Sequence, residues 1–362
     1  MNLNIREKSK ASNPFVGLRA YKSAESKHFY GREEDVEELL LILQKNKLVN
    51  LAGPAGSGKS SLLNAGLIPR LKEGFVGQAG RDWAICSFRP GISPIENFCH
   101  ALTSGGLLNL DNKPNTSDYN DFKSHLGDFG AMGLAKIYKN SEIFNKKNLL
   151  VIIDQLEDLF VFNKFFNDRS SEEDEELLDL VSRSVKVDNV AIYFVIAIQT
   201  EYMANLSAYS KLQEIISKSH YAIKSIDTNG IGDILNNIFH KQKISFDTET
   251  IDYFDNVIKH DLRYLPNLQF LFYKLFQKHA IEDDTPINFD IEKIIEFGGV
   301  ENAIKKELEN YQHSLNDLDK NLVRKIFKAL LNFEISKNES EYESISKITE
   351  IIDIKPDVLT NL

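Results

Sequence analysis

Residues 48–61 read LVNLAGPAGSGKSS, and no other stretch constrains the chain so tightly. An apolar run (Leu48, Val49, Leu51, Ala52) leads into a loop from Gly53 to Ser60. Leu62, Leu63, Leu67 and Ile68 then recur at helical spacing. A buried strand, a glycine-rich loop and a helix start form the setting in which G-x-x-x-x-G-K-[ST] binds phosphate. Gly53, Gly56 and Gly58 let the backbone curl so that consecutive N–H groups point at phosphate oxygens. The helix N-terminus beneath adds partial positive charge. Lys59 reaches the β- and γ-phosphates and the Ser60 hydroxyl ligates Mg²⁺. Pro54, Ala55, Ser57 and Ser61 complete the nucleotide-contacting loop. ATP or ADP, with Mg²⁺, is the expected cofactor.

A second landmark lies about a hundred residues on, at LLVIID, residues 149–154. Five β-prone apolar residues ending in Asp154 put a carboxylate at the C-terminal edge of a strand, where open α/β sheets bind ligands. Opposite Ser60, that carboxylate is placed to hold Mg²⁺ through its water shell. Gln155 follows and can orient a water; Glu157, or behind it Asp158, stands a short way on as a substitute base, Glu157 the better placed. Lys59, Asp154, Gln155 and Glu157 are therefore the expected catalytic set. Further apolar runs at 83–88, 190–198 and 220–226 alternate with helical patterns. They predict an α/β P-loop NTPase fold with a mostly parallel sheet sandwiched by helices. Gln199, at the tip of the run after Asp154, stands where such ATPases sense phosphate. Pro69 is expected to end or kink the helix after the loop.

From residue 230 the pattern turns helical, at 231–242, 248–261, 267–279 and 291–311. The expected plan is a flexible 1–12, a nucleotide-binding domain at 13–228, a helical lid at 229–313 and an incomplete winged helix at 314–362. The acidic run at 170–176 reads as a solvated helix start. Net charge is −10, which argues against DNA as a partner, because phosphate neutralisation supplies most non-specific affinity. Anisotropy titration is expected to show no micromolar binding to duplex DNA in physiological salt; such binding would instead favour a DNA loader. Cys86 and Cys99 lack metal-ligand spacing and are too few for a disulfide framework. No apolar run reaches the ~18 residues of a membrane helix and the chain shows no apolar leader. A cytoplasmic location with no membrane contact is expected.

Several spaced segments together resemble one family. N-P-F-V-G-L-R at 13–19, F-Y-G-R-E-E at 29–34, the loop run through Pro69, R-P-G-x-x-P at 89–94 and D-Q-x-E-D-L-F at 154–160 are similar to the bacterial novel STAND group of signal-transduction ATPases. The resemblance implies an AAA+/STAND-like sheet domain with a helical lid, and places Tyr30, Gly31 and Arg32 on the adenine side of the nucleotide. It also implies that Pro266, in LRYLPNLQFLF, approaches the base from the lid. Two positions depart from the family pattern: Arg263 replaces a glycine, and Gln199 stands where an arginine is usual. A neutral amide can hydrogen-bond a γ-phosphate but cannot neutralise it. The family implies a slow, ATP-operated switch in signalling or anti-phage defence, with a protein trigger or effector and self-association on activation. The alternative is an AAA+ DNA-binding loader of the origin-recognition type. A loader favours basic surfaces and an Asp-Glu pair, where this chain is acidic and has Asp154-Gln155.

Overall fold

The computed structural model describes residues 13–74, 80–104, 107–108, 123–124, 126–127, 130–165, 172–224, 230–239, 244–279, 287–314, 321 and 323. Almost all of the expected winged helix, the segment 1–12 and most of 105–122 lie outside the described residues.

Five strands form one parallel sheet: β1 (Leu48–Gly53), β2 (Trp83–Phe88), β3 (Asn148–Ile153), β4 (Ile192–Gln199) and β5 (His220–Ala222). Their spatial order is β2-β3-β4-β1-β5, and every pairing is parallel. Parallel strands need both faces covered, and side-chain alternation supplies two apolar faces. Val49, Leu51, Leu150, Ile152, Val195 and Ala197 pack toward α1 (Glu33–Asn46) and α2, the helix after the loop over residues 59–73. Leu149, Val151, Ile153, Phe194, Ile196 and Ile198 face the other side. There they meet α3 (Pro94–Thr103), α4 (Gly133–Asn140), α5 (Asp158–Phe165), α6 (Glu172–Ser184) and α7 (Ser210–Ser219). Each fully buried Leu or Ile contributes ~1.5–3 kcal/mol, and the strand carrying the loop is buried at all six positions.

Helix α2 runs through Lys59–Ser61, a π-helical turn at Leu62–Leu67 and then Ile68–Glu73. Pro69 does not end it. The wide turn ahead of it bonds the Ile68 N–H to Leu63 O, five residues back, and the proline falls in the first turn of the following segment, where its missing donor costs least. The acidic run does begin a helix, but Asp174 within it is buried rather than solvated.

The second part comprises α8 (Gly230–Phe239), α9 (Thr248–His260), α10 (Leu265–His279), α11 (Ile291–Glu296) and α12 (Gly299–Ser314). Two short strands absent from the periodicity reading, β6 (Ile244–Phe246) and β7 (Ile287–Phe289), pair in parallel. The helix expected over 291–311 is two, broken at Gly298, whose φ of +100° no helix admits. Aromatic rings build this core: Phe239, Phe246, Phe254, Phe272 and Phe289 meet at centroid separations of 5.2–5.9 Å. Phe15, far away in sequence, completes it by packing on Phe239 and Phe272. The leading segment thereby joins the two parts, because the Tyr21 N–H a few residues on bonds Ser61 Oγ of α2. Among the described residues, no helix is long and apolar enough to cross a membrane.

Candidate functional site

A cleft of about 460 Å³ opens at the C-terminal edge of the sheet. The strand order puts three chemistries at that edge: the glycine loop after β1, Asp154 after β3 and Gln199 ending β4 between them. Gln199 is in register with Gly53 on the neighbouring strand. Tyr30, Arg32, Ala55, Gly56, Ser57, Gly58, Lys59, Ser60, Ser61, Asp154, Gln155, Glu157, Gln199 and Pro266 all line the cleft. Gly53 and Pro54 lie just behind it, holding the Lys59 ammonium through their carbonyls at 2.8 and 3.0 Å. Lys59 is 8% exposed. Burial lowers its pKa, and the neighbouring carboxylates of Glu157 and Asp154 oppose that shift.

Ser60 Oγ donates to Asp154 Oδ2 at 2.8 Å, so the two expected metal-site residues already touch. Asp154 Oδ1 and Ser57 Oγ are buried with no hydrogen-bond partner. A buried carboxylate oxygen without a partner is costly, and here it lies beside a hydroxyl at a phosphate loop. That donor set fits a hydrated Mg²⁺. Among the described residues, no cluster of three His, Cys, Asp or Glu exists that could hold a metal by protein ligands alone. A hard cation retaining waters and taking phosphate oxygens needs only the Ser60 and Asp154 that are present.

Beyond Asp154 the chain turns sharply, with Gln155 at φ +60°, an uncommon conformation for a residue with a side chain. The turn carries Leu156 back to bond Ala197 O and buries Glu157, whose Oε2 accepts the Gln199 N–H at 3.0 Å. Glu157 thus fixes the tip of β4 as well as facing the cleft. Asp158, next in line, accepts the Gly91 N–H at 3.3 Å, and its carboxyl is pushed up to about 6, chiefly by burial.

Arg32 is 6% exposed and fully engaged. It bonds Asp35 Oδ2 at 3.0 Å, Lys224 O at 2.7 Å and Ser57 O at 3.4 Å, while the Tyr221 hydroxyl donates to Asp35 Oδ1 at 2.6 Å. The guanidinium therefore ties the start of α1, the exit of β5 and the glycine loop together. Gly31, at φ +80°, abuts α8: a Cβ there would lie 2.3 Å from Ile234 Cδ1. Gly56, at φ +74°, abuts α10: a Cβ there would lie 3.1 Å from Pro266 Cγ and 3.4 Å from Arg263 O. Both motif glycines are thus points of contact between the sheet and the helical part. Tyr30 is exposed at the rim.

Several cleft residues had no role in the sequence reading, Arg19, His28 and Gln269 among them; nor had Arg89, there only part of the R-P-G-x-x-P segment. Arg89 follows β2 immediately and lines the cleft beside Asp154 and Gln155. The available signal was positional, since it ends a strand at the edge where Asp154 ends another.

The novel STAND NTPase 1 family matches residues 14–359. No curated protein matches the chain. Among solved structures, the ORC2 protein of Aeropyrum pernix, in ADPNP–ADP complexes, superposes with a TM-score of 0.52 at 11% identity, over 94% of this chain and 83% of that one. The Aeropyrum pernix ORC1 protein, in complex with DNA, gives 0.47 at 11% identity over 91% and 83%. A Walker-type ATPase of Pyrococcus abyssi gives 0.46 at 14% over 93% and 92%. At such identities the ORC2 likeness speaks for the fold alone, a parallel sheet of the P-loop AAA+ type with flanking helices.

Proposed function

The chain belongs to the novel STAND NTPase 1 family, and from that premise we propose that it is an ATP-operated switch with slow hydrolysis. The observation that carries this reading is the contact of Gly56 with Pro266 and Arg263 across the cleft. A phosphate loop this close to the helical part would couple nucleotide occupancy to that contact. Nucleotide state would then bias the arrangement of residues 229–313 as a lid, and a ligand shifts such an equilibrium only by its differential affinity for the two arrangements. Lys59 would bind the terminal phosphates, Ser60 and Asp154 would hold Mg²⁺, and Tyr30, Arg32 and Pro266 would border the base. A protein trigger and self-association in signalling or anti-phage defence complete the proposal, on the strength of family membership.

Gln155 stands where a motor ATPase has glutamate, and Glu157 is engaged with the Gln199 backbone. Steady-state phosphate release by the isolated protein is therefore expected far below the ~10 s⁻¹ of a median enzyme. It should rise with protein concentration if assembly completes the site. Denaturing the purified protein and chromatographing what it releases should yield bound ADP. Rapid turnover unaffected by dilution, from protein that carries no nucleotide, would sink the switch.

A further inference from the structure

Of the cations lining the cleft, Arg19 is paired with Glu25 and Arg32 with Asp35, and Lys59 stands on the loop side, which leaves the far side of the terminal phosphate to Arg89. Phosphoryl transfer to water breaks the bond from the γ-phosphorus to the ADP oxygen, forms one to the water oxygen and yields ADP, phosphate and a proton. Negative charge spreads over the phosphoryl oxygens on the way, and catalysis is mostly positioning and charge stabilisation. Gln199 carries no charge.

We propose that Arg89 is the cation of this site: its guanidinium meets the terminal phosphate from the β2 side, opposite Lys59. The proposal rests on the nucleotide-binding reading above. Arg89 is exposed, lines the same cleft as Ser60, Asp154 and Gln199, and its guanidinium makes no hydrogen bond or ion pair with a described residue. Its backbone is placed beside the metal-site carboxylate, because the Asp154 N–H bonds Phe88 O at 2.9 Å. The turn behind it is pinned twice, by Asn97 Nδ2 on Pro90 O at 2.9 Å and by the Gly91 N–H on Asp158. A twice-held turn carrying an arginine at the cleft, its charge within electrostatic reach of Asp158 but in no ion pair, offers a cation to an anion bound there. Distance also fits. Three strand spacings, ~14 Å, separate β2 from β1, a gap that an extended arginine and a triphosphate reaching out from the loop can close between them. The fork of N–H donors suits a phosphoryl group with three oxygens better than a point charge does.

The cation's position makes the test specific, because ADP lacks the phosphate that Arg89 would touch. Calorimetry with a non-hydrolysable ATP analogue and with ADP, on wild type, Arg89→Gln and Arg89→Lys, should separate the two nucleotides. Arg89→Gln is expected to weaken the analogue at least ~10-fold, the loss of about one charge-assisted hydrogen bond, and to leave ADP affinity within twofold. Its single-turnover rate should fall ~100-fold or more. Arg89→Lys should recover part of the analogue affinity, and Gln199→Arg placed in the Arg89→Gln protein should recover part of the rate. Equal weakening of analogue and ADP would mean that Arg89 only supports the fold and would overturn the inference. So would an Arg89→Gln protein indistinguishable from wild type. Wild type that binds neither nucleotide would overturn the phosphate-loop reading itself, and the inference with it.

Discussion

Lys59→Ala is expected to abolish measurable ATP binding, weakening it by at least ~100-fold, or ~2.7 kcal/mol. The side chain is the only cation on the loop, and hydrogen bonds from a charged donor are worth ~1.5–3 kcal/mol each, more where water is excluded. Its ammonium now bonds Gly53 O and Pro54 O, so truncation also frees two loop carbonyls. The two consequences separate in one experiment. Titration calorimetry with ATP–Mg²⁺ reports affinity, and thermal unfolding without nucleotide reports the loop. Affinity should collapse while unfolding shifts by no more than a few degrees. Ser60→Ala should behave differently, keeping nucleotide affinity in EDTA and losing the gain that Mg²⁺ confers. Wild-type affinity in Lys59→Ala would remove the phosphate-loop assignment.

Arg32→Ala is expected to destabilise the sheet domain by ~3–5 kcal/mol, the cost of leaving one partner of a buried ion pair unpaired. Asp35 would remain buried with only the Tyr221 hydroxyl and a distant backbone N–H, and the carbonyls of Ser57 and Lys224 would lose their donor. Trp83, the sole tryptophan, lies in β2 against Tyr193, so urea unfolding followed by its fluorescence reads the sheet directly. Replacing both charges, Arg32→Met with Asp35→Leu, should recover much of the stability, since a packed apolar pair avoids the desolvation of two ions. The double variant should still bind nucleotide less tightly than wild type, because Ser57 O is no longer held. A shift below ~1 kcal/mol in Arg32→Ala would show that the network is incidental, leaving contact with the base as the role of Arg32.

That residue shows where sequence reading stops. A short Gly-Arg-Glu run ahead of the loop strand identifies a family segment, but nothing in spacing says that the guanidinium turns inward. Its acceptors just past β5 and in the loop lie 192 and 25 residues away. The same holds for Glu157, legible as a carboxylate near the site yet committed to a backbone N–H on another strand. Pro69, expected to end or kink its helix, does not end it: the helix runs on to Glu73, and a π-helical turn interrupts the α geometry just ahead of the proline. The short strands β6 and β7 escaped notice because three residues are too few to establish a period of two.

Local chemistry is written in short stretches of the chain. Five apolar runs specify a parallel sheet, the glycine spacing specifies a phosphate loop, and an aspartate ending its strand specifies the facing carboxylate. Each is encoded within about a dozen contiguous residues, where hydrophobic period and backbone freedom act directly. Tertiary structure alone decided which of these meet. The order β2-β3-β4-β1-β5 inserts Gln199 between the loop and Asp154 and brings Arg89 to the same edge. Packing of an aromatic core sets Pro266 on Gly56 and draws Phe15 across from the far end of the chain. Those juxtapositions join residues tens to hundreds of positions apart, and only burial of both faces of the sheet and of the helical core against one another fixes them.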